Sequence, residues 1–277
     1  MTDQAHDWLA APFVGDLARL LAATGSSTGA AAPDGSVRPA EPEGTAHGTT
    51  VIAVKFREGV INLGDRRATA ESFILYDRAD KILRLDDFTL IGISGSYARA
   101  MDVVRFLKHS FSYYRRSQLQ EMSLEGKLGE VARVIGGNVV DVLAGGGVVI
   151  PLLSTYDRQR NEGRLFFYDA AGARFESQEF GAAGSGSFRI RGAFDYIVRT
   201  KGPFHEMAFE QALNEALVLL GIAAELDAAT AGFQVIPPTV KVITQEGIRA
   251  VEGAELKAAI EGLASEAAPS PPGRGLG

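Results

Sequence analysis

The sequence contains no cysteine, which excludes a disulfide framework, a thiolate nucleophile and a cysteine-ligated metal site. Histidine is scarce as well. His6, His47, His109 and His205 are scattered, without the spacing of metal ligands and without the neighbours of a catalytic triad. We therefore expect no metal and no other cofactor, and a base for nucleophilic chemistry must come from another kind of group.

Positive charge and long apolar runs are also lacking. The formal net charge is −6 and the basic residues form isolated pairs such as Arg66-Arg67, so no positive field attracts phosphates. No stretch approaches the roughly 20 apolar residues of a membrane span. Asp3 and Asp7 stand where a secretory signal would carry Lys or Arg. The sequence therefore predicts a cytoplasmic protein with no nucleic-acid and no membrane partner.

What the chain does have is enough apolar material for a sizeable core, with 46% hydrophobic and 22% charged residues among 277. This length allows one large domain or two small ones. The composition changes at the bond between Gly48 and Thr49. Before it, a short amphipathic helix at 13–23 leads into a linker rich in Ala, Gly, Ser and Pro at 24–46. Residues 1–48 are either a removable leader or a disordered tail without a role.

Hydrophobic periodicity divides the rest of the chain into strands and paired helices. Short period-2 segments come first, two helices follow, and then strands, two helices, a strand pair and a last helix complete the order. Helix pairs cannot lie between regularly alternating parallel strands, so a doubly wound sheet is excluded. The pattern predicts an α+β fold, a four-layer αββα sandwich, with a flexible tail at 266–277. Strands are predicted at 50–56, 60–64, 73–76, 81–85, 88–94, 148–154, 165–168, 235–236 and 240–243, and helices at 97–120, 124–143, 188–198, 206–223 and 254–263.

Thr49 is a candidate nucleophile because of its place at the composition break. A threonine hydroxyl needs a base within hydrogen-bond reach. An N-terminal threonine carries one, since an α-amino group titrates near pH 7.7 to 8.0 and can accept the hydroxyl proton. This chemistry requires cleavage of the bond between Gly48 and Thr49.

Several short motifs occur in one order: HGTTVIAVKF, GVINLGDRRAT, DRADKILRLDD, GISGS, GAAGSGS and LDAAT. From Thr49 to about Lys241 the chain thereby resembles the β subunits of 20S proteasomes, of the type found in actinobacteria. The resemblance implies the N-terminal-nucleophile hydrolase fold over residues 49–265 and the activity of a threonine endopeptidase. It also implies that residues 1–48 are a propeptide removed by autocatalysis.

The resemblance also implies roles for single residues. Thr49 is the nucleophile released by cleavage after Gly48, and the Asp65 carboxylate orients the active-site Lys81, which favours the alkoxide. The backbone N–H of Gly95 helps to form the oxyanion hole. Polar groups around the N-terminal amine are supplied by Ser185, Asp227 and Thr230, after which the family pattern has glycine where this sequence has Ala231.

In the same register, an apolar pocket receives the side chain that precedes the scissile bond, and it should favour hydrophobic residues. Backbone groups of Thr69 and Gly95 would bind the substrate as an added antiparallel strand. The residues implied around the pocket are Ala68, Ala79, Leu83, Ile93, Tyr97 and Met101.

The partners implied are identical β subunits in a heptameric ring, α subunits in an α7β7β7α7 assembly, a regulatory ATPase ring, and protein substrates that carry a ubiquitin-like tag. Two other readings stay open: a threonine protease built from one subunit type without α rings, and a non-catalytic structural ring subunit. Singly, Asp65 could be a turn residue, Lys81 a solvated strand end and Ser185 a helix cap. A phosphate cradle at GAAGSGS is excluded because the G-K-[ST] ending is missing.

Overall fold

The computed structural model describes residues 50–70, 73–143, 147–233 and 236–266. A hairpin of β1 (Thr50–Phe56) and β2 (Gly59–Gly64) forms the centre of the first sheet, with Phe56 opposite Gly59. Its other strands are β10 (Phe180–Gly184), β11 (Thr239–Thr244) and β12 (Gly247–Ala250), in the order β10-β1-β2-β11-β12 with antiparallel pairing throughout.

The second five-stranded sheet is a simple antiparallel succession of β5 to β9. A separate two-stranded sheet pairs β3 with β4. The bounds of these strands are β3 Ala68–Ala70, β4 Phe73–Tyr76, β5 Ile82–Asp86, β6 Thr89–Gly92, β7 Leu152–Asp157, β8 Glu162–Tyr168 and β9 Arg174–Ser177.

The helices lie in two groups, one before and one after the later strands of the second sheet. α1 (Tyr97–Gln118), α2 (Leu124–Gly137) and the short α3 (Val139–Leu143) form the first group. The second group comprises α4 (Ser187–Lys201), a 3-10 turn (Phe204–Glu206), α5 (Phe209–Leu226) and α6 (Gly253–Glu266). No helix among the residues described is both long and apolar enough to cross a membrane.

Hydrophobic clusters define the interfaces between the layers. In β1, Ile52 and Val54 pack with α4 and α5, whereas Val51 and Ala53 belong to the cluster between the two sheets. In β6, Ile91 packs with α1 and α2, whereas Leu90 faces the other sheet. Because alternate residues of a strand point to opposite faces, each central strand is covered on both sides. The order is helices, sheet, sheet, helices, and the predicted αββα sandwich is confirmed.

Some predicted bounds are wrong. The strand predicted at 148–154 begins at Leu152, directly after Pro151, which has no N–H to donate to a neighbouring strand. The helix predicted at 124–143 breaks after the helix-weakening pair Gly136-Gly137, and Asn138 there donates to the Val134 carbonyl.

The last predicted strand pair is also wrong, because β11 pairs with β2 and β12. Residue 235 of the predicted partner strand lies outside the described residues, and residue 236 is not in a strand. The predictions for residues 1–49 and 267–277 likewise lie outside the described part of the chain.

Candidate active site

The Asp65–Lys81 pair lies where the two sheets approach each other. Asp65 directly follows β2 of the first sheet, and Lys81 directly precedes β5 of the second. The Lys81 Nζ atom lies 2.8 Å from Asp65 Oδ1 and donates a second hydrogen bond to the carbonyl of Arg67 at 2.5 Å. Both charged side chains are fully buried. Asp65 is therefore not a mere turn residue, and Lys81 is not a solvated strand end.

Three backbone N–H groups complete the surroundings of the Asp65 carboxylate. Thr50 donates to Oδ1 at 2.8 Å, while Arg67 and Ala231 donate to Oδ2 at 3.0 and 3.2 Å. Ala231 makes this contact through its backbone N–H. The contact is therefore retained although the family pattern has glycine at this position. Hydrogen bonds of this kind compensate part of the cost of burying the carboxylate. The start of β1, the loop after β2 and the segment after α5 are thus held together by one side chain.

The pKa of Lys81 lies below its ordinary value of 10.5. Burial is the main cause, because it disfavours the charged ammonium, and it outweighs the opposing attraction of Asp65 and the weaker attraction of Asp227. A lysine in this condition gives up a proton more readily than an exposed one. It can therefore take part in proton transfer or stabilise a nearby developing negative charge.

A second polar cluster forms around Asp227, at the end of α5. The hydroxyl groups of Ser185 and Thr230 both donate to Asp227 Oδ2 at 2.6 Å. The N–H of Ala229 donates to Asp227 Oδ1 at 3.3 Å. Ser185 is not the cap of α4, because that helix follows Gly186 and has no side-chain cap. The structure thus joins the three residues that the motifs GSGS and LDAAT supplied.

Thr50, which the sequence analysis did not single out, connects the two groups. Its N–H donates to Asp65, and its Oγ1 atom lies 2.6 Å from Thr230 Oγ1 and accepts the N–H of Gly186 at 3.1 Å. The residue is 0% exposed. One sequence cue was available: Thr50 begins an otherwise apolar run of five residues with a hydroxyl group.

Gly95 occupies a backbone position that suits only glycine. Its φ is +89°, and a Cβ atom would lie 2.1 Å from the carbonyl oxygen of Val148. Gly95 forms an isolated antiparallel bridge with Val149, and the next N–H, that of Ser96, donates to Val148 at 2.8 Å. The conformation of this segment is therefore defined by close backbone contact.

The predicted pocket residues fall into two neighbouring groups. Ile93 is a buried member of the cluster beneath α1, and the half-buried Leu83, Tyr97 and Met101 pack against it. The N–H of Ile93 donates to the carbonyl of Lys81 at 2.9 Å, which ties this group to the ion pair. Burial raises the pKa of Tyr97, and the negative charge of Asp80 adds to the effect.

The second group comes from the β3–β4 side of the molecule. Ala68, Thr69 and Ala79 are buried there. Ala68 pairs with Tyr76, and the N–H of Ala79 donates to the carbonyl of Arg66 at 3.0 Å. Gly48 and Thr49 lie outside the described residues. Within the described ranges, no group of three or more His, Asp or Glu side chains is placed to hold a metal ion.

A four-layer αββα sandwich with a buried polar site at the start of its first strand is the architecture of the N-terminal-nucleophile hydrolases. Comparison with known proteins narrows this class. A family model for proteasome subunits matches residues 45–236. The chain therefore belongs to the proteasome subunit family, as a bacterial β subunit.

Three relatives are each 35% identical to this chain. The match to a proteasome subunit beta of Acidimicrobium ferrooxidans covers 87% of this chain and 86% of the relative. A proteasome subunit beta of Streptomyces griseus matches over 73% of this chain and 71% of its own length. The match to proteasome subunit beta 2 of Thermomonospora curvata covers 78% of this chain and 77% of the relative.

Proposed function

We propose that this chain is the catalytic β subunit of a bacterial 20S proteasome, a threonine endopeptidase whose nucleophile is Thr49. The observation that carries the proposal is the buried Asp65–Lys81 pair, which is hydrogen-bonded to the N–H of Thr50, the residue next to Thr49. A buried ion pair at this position is hard to explain by stability alone, because desolvation offsets much of the attraction between its charges.

The chemistry follows from the residue types. The Thr49 hydroxyl attacks the carbonyl carbon of the scissile bond, and its proton passes to the free α-amino group. The proton is then given to the leaving amine, which leaves an ester between Thr49 and the substrate acyl group, and water hydrolyses this ester. Lys81 favours the alkoxide, and the N–H of Gly95 stabilises the oxyanion. Ser185, Asp227 and Thr230 orient the α-amino group.

The chain starts as an inactive precursor in this scheme. While Thr49 remains in a peptide bond with Gly48 it has no free amine, and the base for the hydrolysis of a substrate is missing. Residues 1–48 are then a propeptide, with a short amphipathic helix and a linker. Cleavage after Gly48 releases the catalytic domain, residues 49–265, with its tail at 266–277.

The mature enzyme acts in the cytoplasm as part of a heptameric β ring, stacked in an α7β7β7α7 assembly. A regulatory ATPase ring would deliver unfolded protein or substrates with a ubiquitin-like tag. The apolar surroundings of Ile93 and Met101 support cleavage after hydrophobic residues. The substrate chain would lie as a strand between Thr69 and Gly95.

The test compares the wild-type chain with Thr49→Ala, each co-expressed with its candidate α subunit. Intact mass and N-terminal sequencing should show a wild-type chain that begins at Thr49 and an unprocessed variant. Trp8 is the only tryptophan of the sequence, so processing should also remove tryptophan fluorescence from the purified subunit. Hydrolysis of a peptide with an apolar residue before the scissile bond should be lost in the variant.

The remaining outcomes point to the other readings. An unprocessed, inactive wild type in an assembled particle would replace the proposal with a non-catalytic structural subunit. Activity of rings formed by this chain alone would point to a protease of one subunit type.

A further inference from the structure

The proton positions around Thr50 follow from its contacts. A hydroxyl group has one proton to donate, and that of Thr230 is engaged with Asp227 Oδ2 at 2.6 Å. The 2.6 Å contact between the two threonine hydroxyls therefore requires Thr50 as the donor. Since Gly186 donates its N–H to Thr50 Oγ1, the hydrogen bonds run in one direction, from Gly186 through Thr50 and Thr230 to Asp227.

The backbone of Thr50 is held on its other side. Its N–H donates to Asp65 Oδ1 at 2.8 Å, the same oxygen that receives Lys81 Nζ. A peptide unit is planar, so fixing this N–H also restricts the orientation of the group that attaches residue 49. Thr50 thereby contacts both the Asp65–Lys81 pair and the Asp227 cluster through hydrogen bonds of its own.

We propose that Thr50 is a positioning residue. Its hydroxyl and its N–H hold the Asp227 cluster and the Asp65–Lys81 pair at the start of β1, and so fix the orientation of the reacting Thr49. The inference rests on the proposed role of Thr49. A nucleophile attached to a strand end that can rotate would reach the scissile carbonyl less often, and small misplacements of reacting groups lower rates strongly.

The space around Thr50 supports a precise fit. A Cβ atom added to Gly186 would lie 2.4 Å from Thr50 Oγ1 and 3.0 Å from Thr230 Oγ1. The backbone of residue 186 therefore approaches the threonine hydroxyls as closely as glycine allows. The Thr50 hydroxyl both accepts the buried N–H of Gly186 and donates to Thr230, and a valine in this place could do neither.

The experiment compares Thr50→Val, which keeps the shape but lacks the hydroxyl, with Thr50→Ser, which keeps the hydroxyl. Thr89→Val is a matched control, since Thr89 is equally buried in a strand and its hydroxyl has no hydrogen-bond partner among the described residues. All variants are co-expressed with the α subunit, assembled and assayed for peptide hydrolysis and for processing after Gly48. The kcat and KM are determined separately.

In Thr50→Val we expect kcat to fall by about ten- to a hundredfold, with KM nearly unchanged and slower processing. Thr50→Ser should recover most of the lost kcat, and Thr89→Val should behave as the wild type. A merely structural role would lower thermal stability in Thr50→Val but leave the kcat of assembled, processed particles unchanged, and that result overturns the proposal. Failure of Thr50→Ser to recover activity overturns it too.

A further variant covers the case in which Thr50→Val does not assemble. Gly186→Ala keeps both threonine hydroxyls but pushes against Thr50, so its kcat should fall, and an unchanged kcat counts against the inference. The proposed function fails separately: it is refuted when Thr49→Ala stays active. An inactive Thr49→Ala beside a fully active Thr50→Val would refute the role of Thr50 alone.

Discussion

Replacing Asp65 with asparagine should destabilise the chain more than replacing Lys81 with methionine, although the two residues form one ion pair. The carboxylate accepts Thr50 N and Lys81 Nζ at Oδ1, and Arg67 N and Ala231 N at Oδ2. Asparagine keeps one acceptor oxygen, so its NH2 group would face two N–H donors, and Lys81 would lose its counter-charge. Breaking a buried pair in this way should lower the free energy of unfolding by about 3–5 kcal/mol.

The Lys81→Met variant removes the buried cation instead. The Asp65 carboxylate then keeps three backbone N–H donors, which compensate part of the cost of burying it. The lost charged hydrogen bond is partly offset because no ammonium has to be desolvated. We expect a loss of about 1–2 kcal/mol.

The pH dependence of the free energy of unfolding distinguishes the loss of the Lys81 counter-charge from a simple packing defect. Burial lowers the pKa of Lys81 and Asp65 opposes this, so neutralising Asp65 should lower the pKa further. The unfolded chain then binds more protons than the folded chain between that lowered pKa and the ordinary value of 10.5. In this window the free energy of unfolding rises with pH. The Asp65→Asn variant should therefore regain stability as the pH rises from 7 towards 10.

The assay is urea unfolding followed by circular dichroism, with every chain carrying Thr49→Ala so that all samples share one covalent form. Asp80→Asn is the control, because Asp80 pairs with Lys241 at 2.7 Å but its side chain is 42% exposed. A surface pair of this kind should contribute less than about 1 kcal/mol. Equal losses in Asp65→Asn and Lys81→Met, or a loss in Asp65→Asn that grows with pH, would refute the argument.

Two more predictions concern other parts of the molecule. The Arg164 guanidinium holds the pKa of Glu176 below its usual value, so the ion pair should stabilise the fold at neutral pH and lose this effect as the pH falls through the folded pKa. The stability difference between wild type and Glu176→Gln, measured by urea unfolding, should thus shrink below about pH 4. In Gly95→Ala the added Cβ atom would clash with the Val148 carbonyl, and alanine would have to adopt a left-handed φ. Peptide hydrolysis by assembled particles should therefore fall by at least about tenfold. A fully active variant would argue against a role of this backbone segment.

The order of strands and helices could be predicted because apolar periodicity is a local property. Both faces of β1 are covered, so the run Val51–Val54 is apolar at every position, as is typical of a buried strand. Strands with little burial carry no such pattern. The residues of β12 are half-buried or exposed, and it was missed for that reason, as was β9, whose residues are mostly exposed.

Within the candidate site, the motifs named Asp65, Lys81, Ser185, Asp227 and Thr230, and the structure brings the first two together and the last three together. Thr50 was missed because a threonine at the start of a strand matches ordinary β propensity. The one local cue, a hydroxyl group at the start of an apolar run, does not show which groups this residue contacts.

The sequence by itself determined the order of the helices and of most buried strands, that the fold is α+β, and which polar residues occur in motif order. Only the tertiary structure decided their partners. Thr50 meets Asp65 across 15 residues and Thr230 across 180. Contacts at such separations depend on how the layers pack and on which N–H groups remain unpaired at strand ends. Neither can be predicted from the residues that are close along the chain.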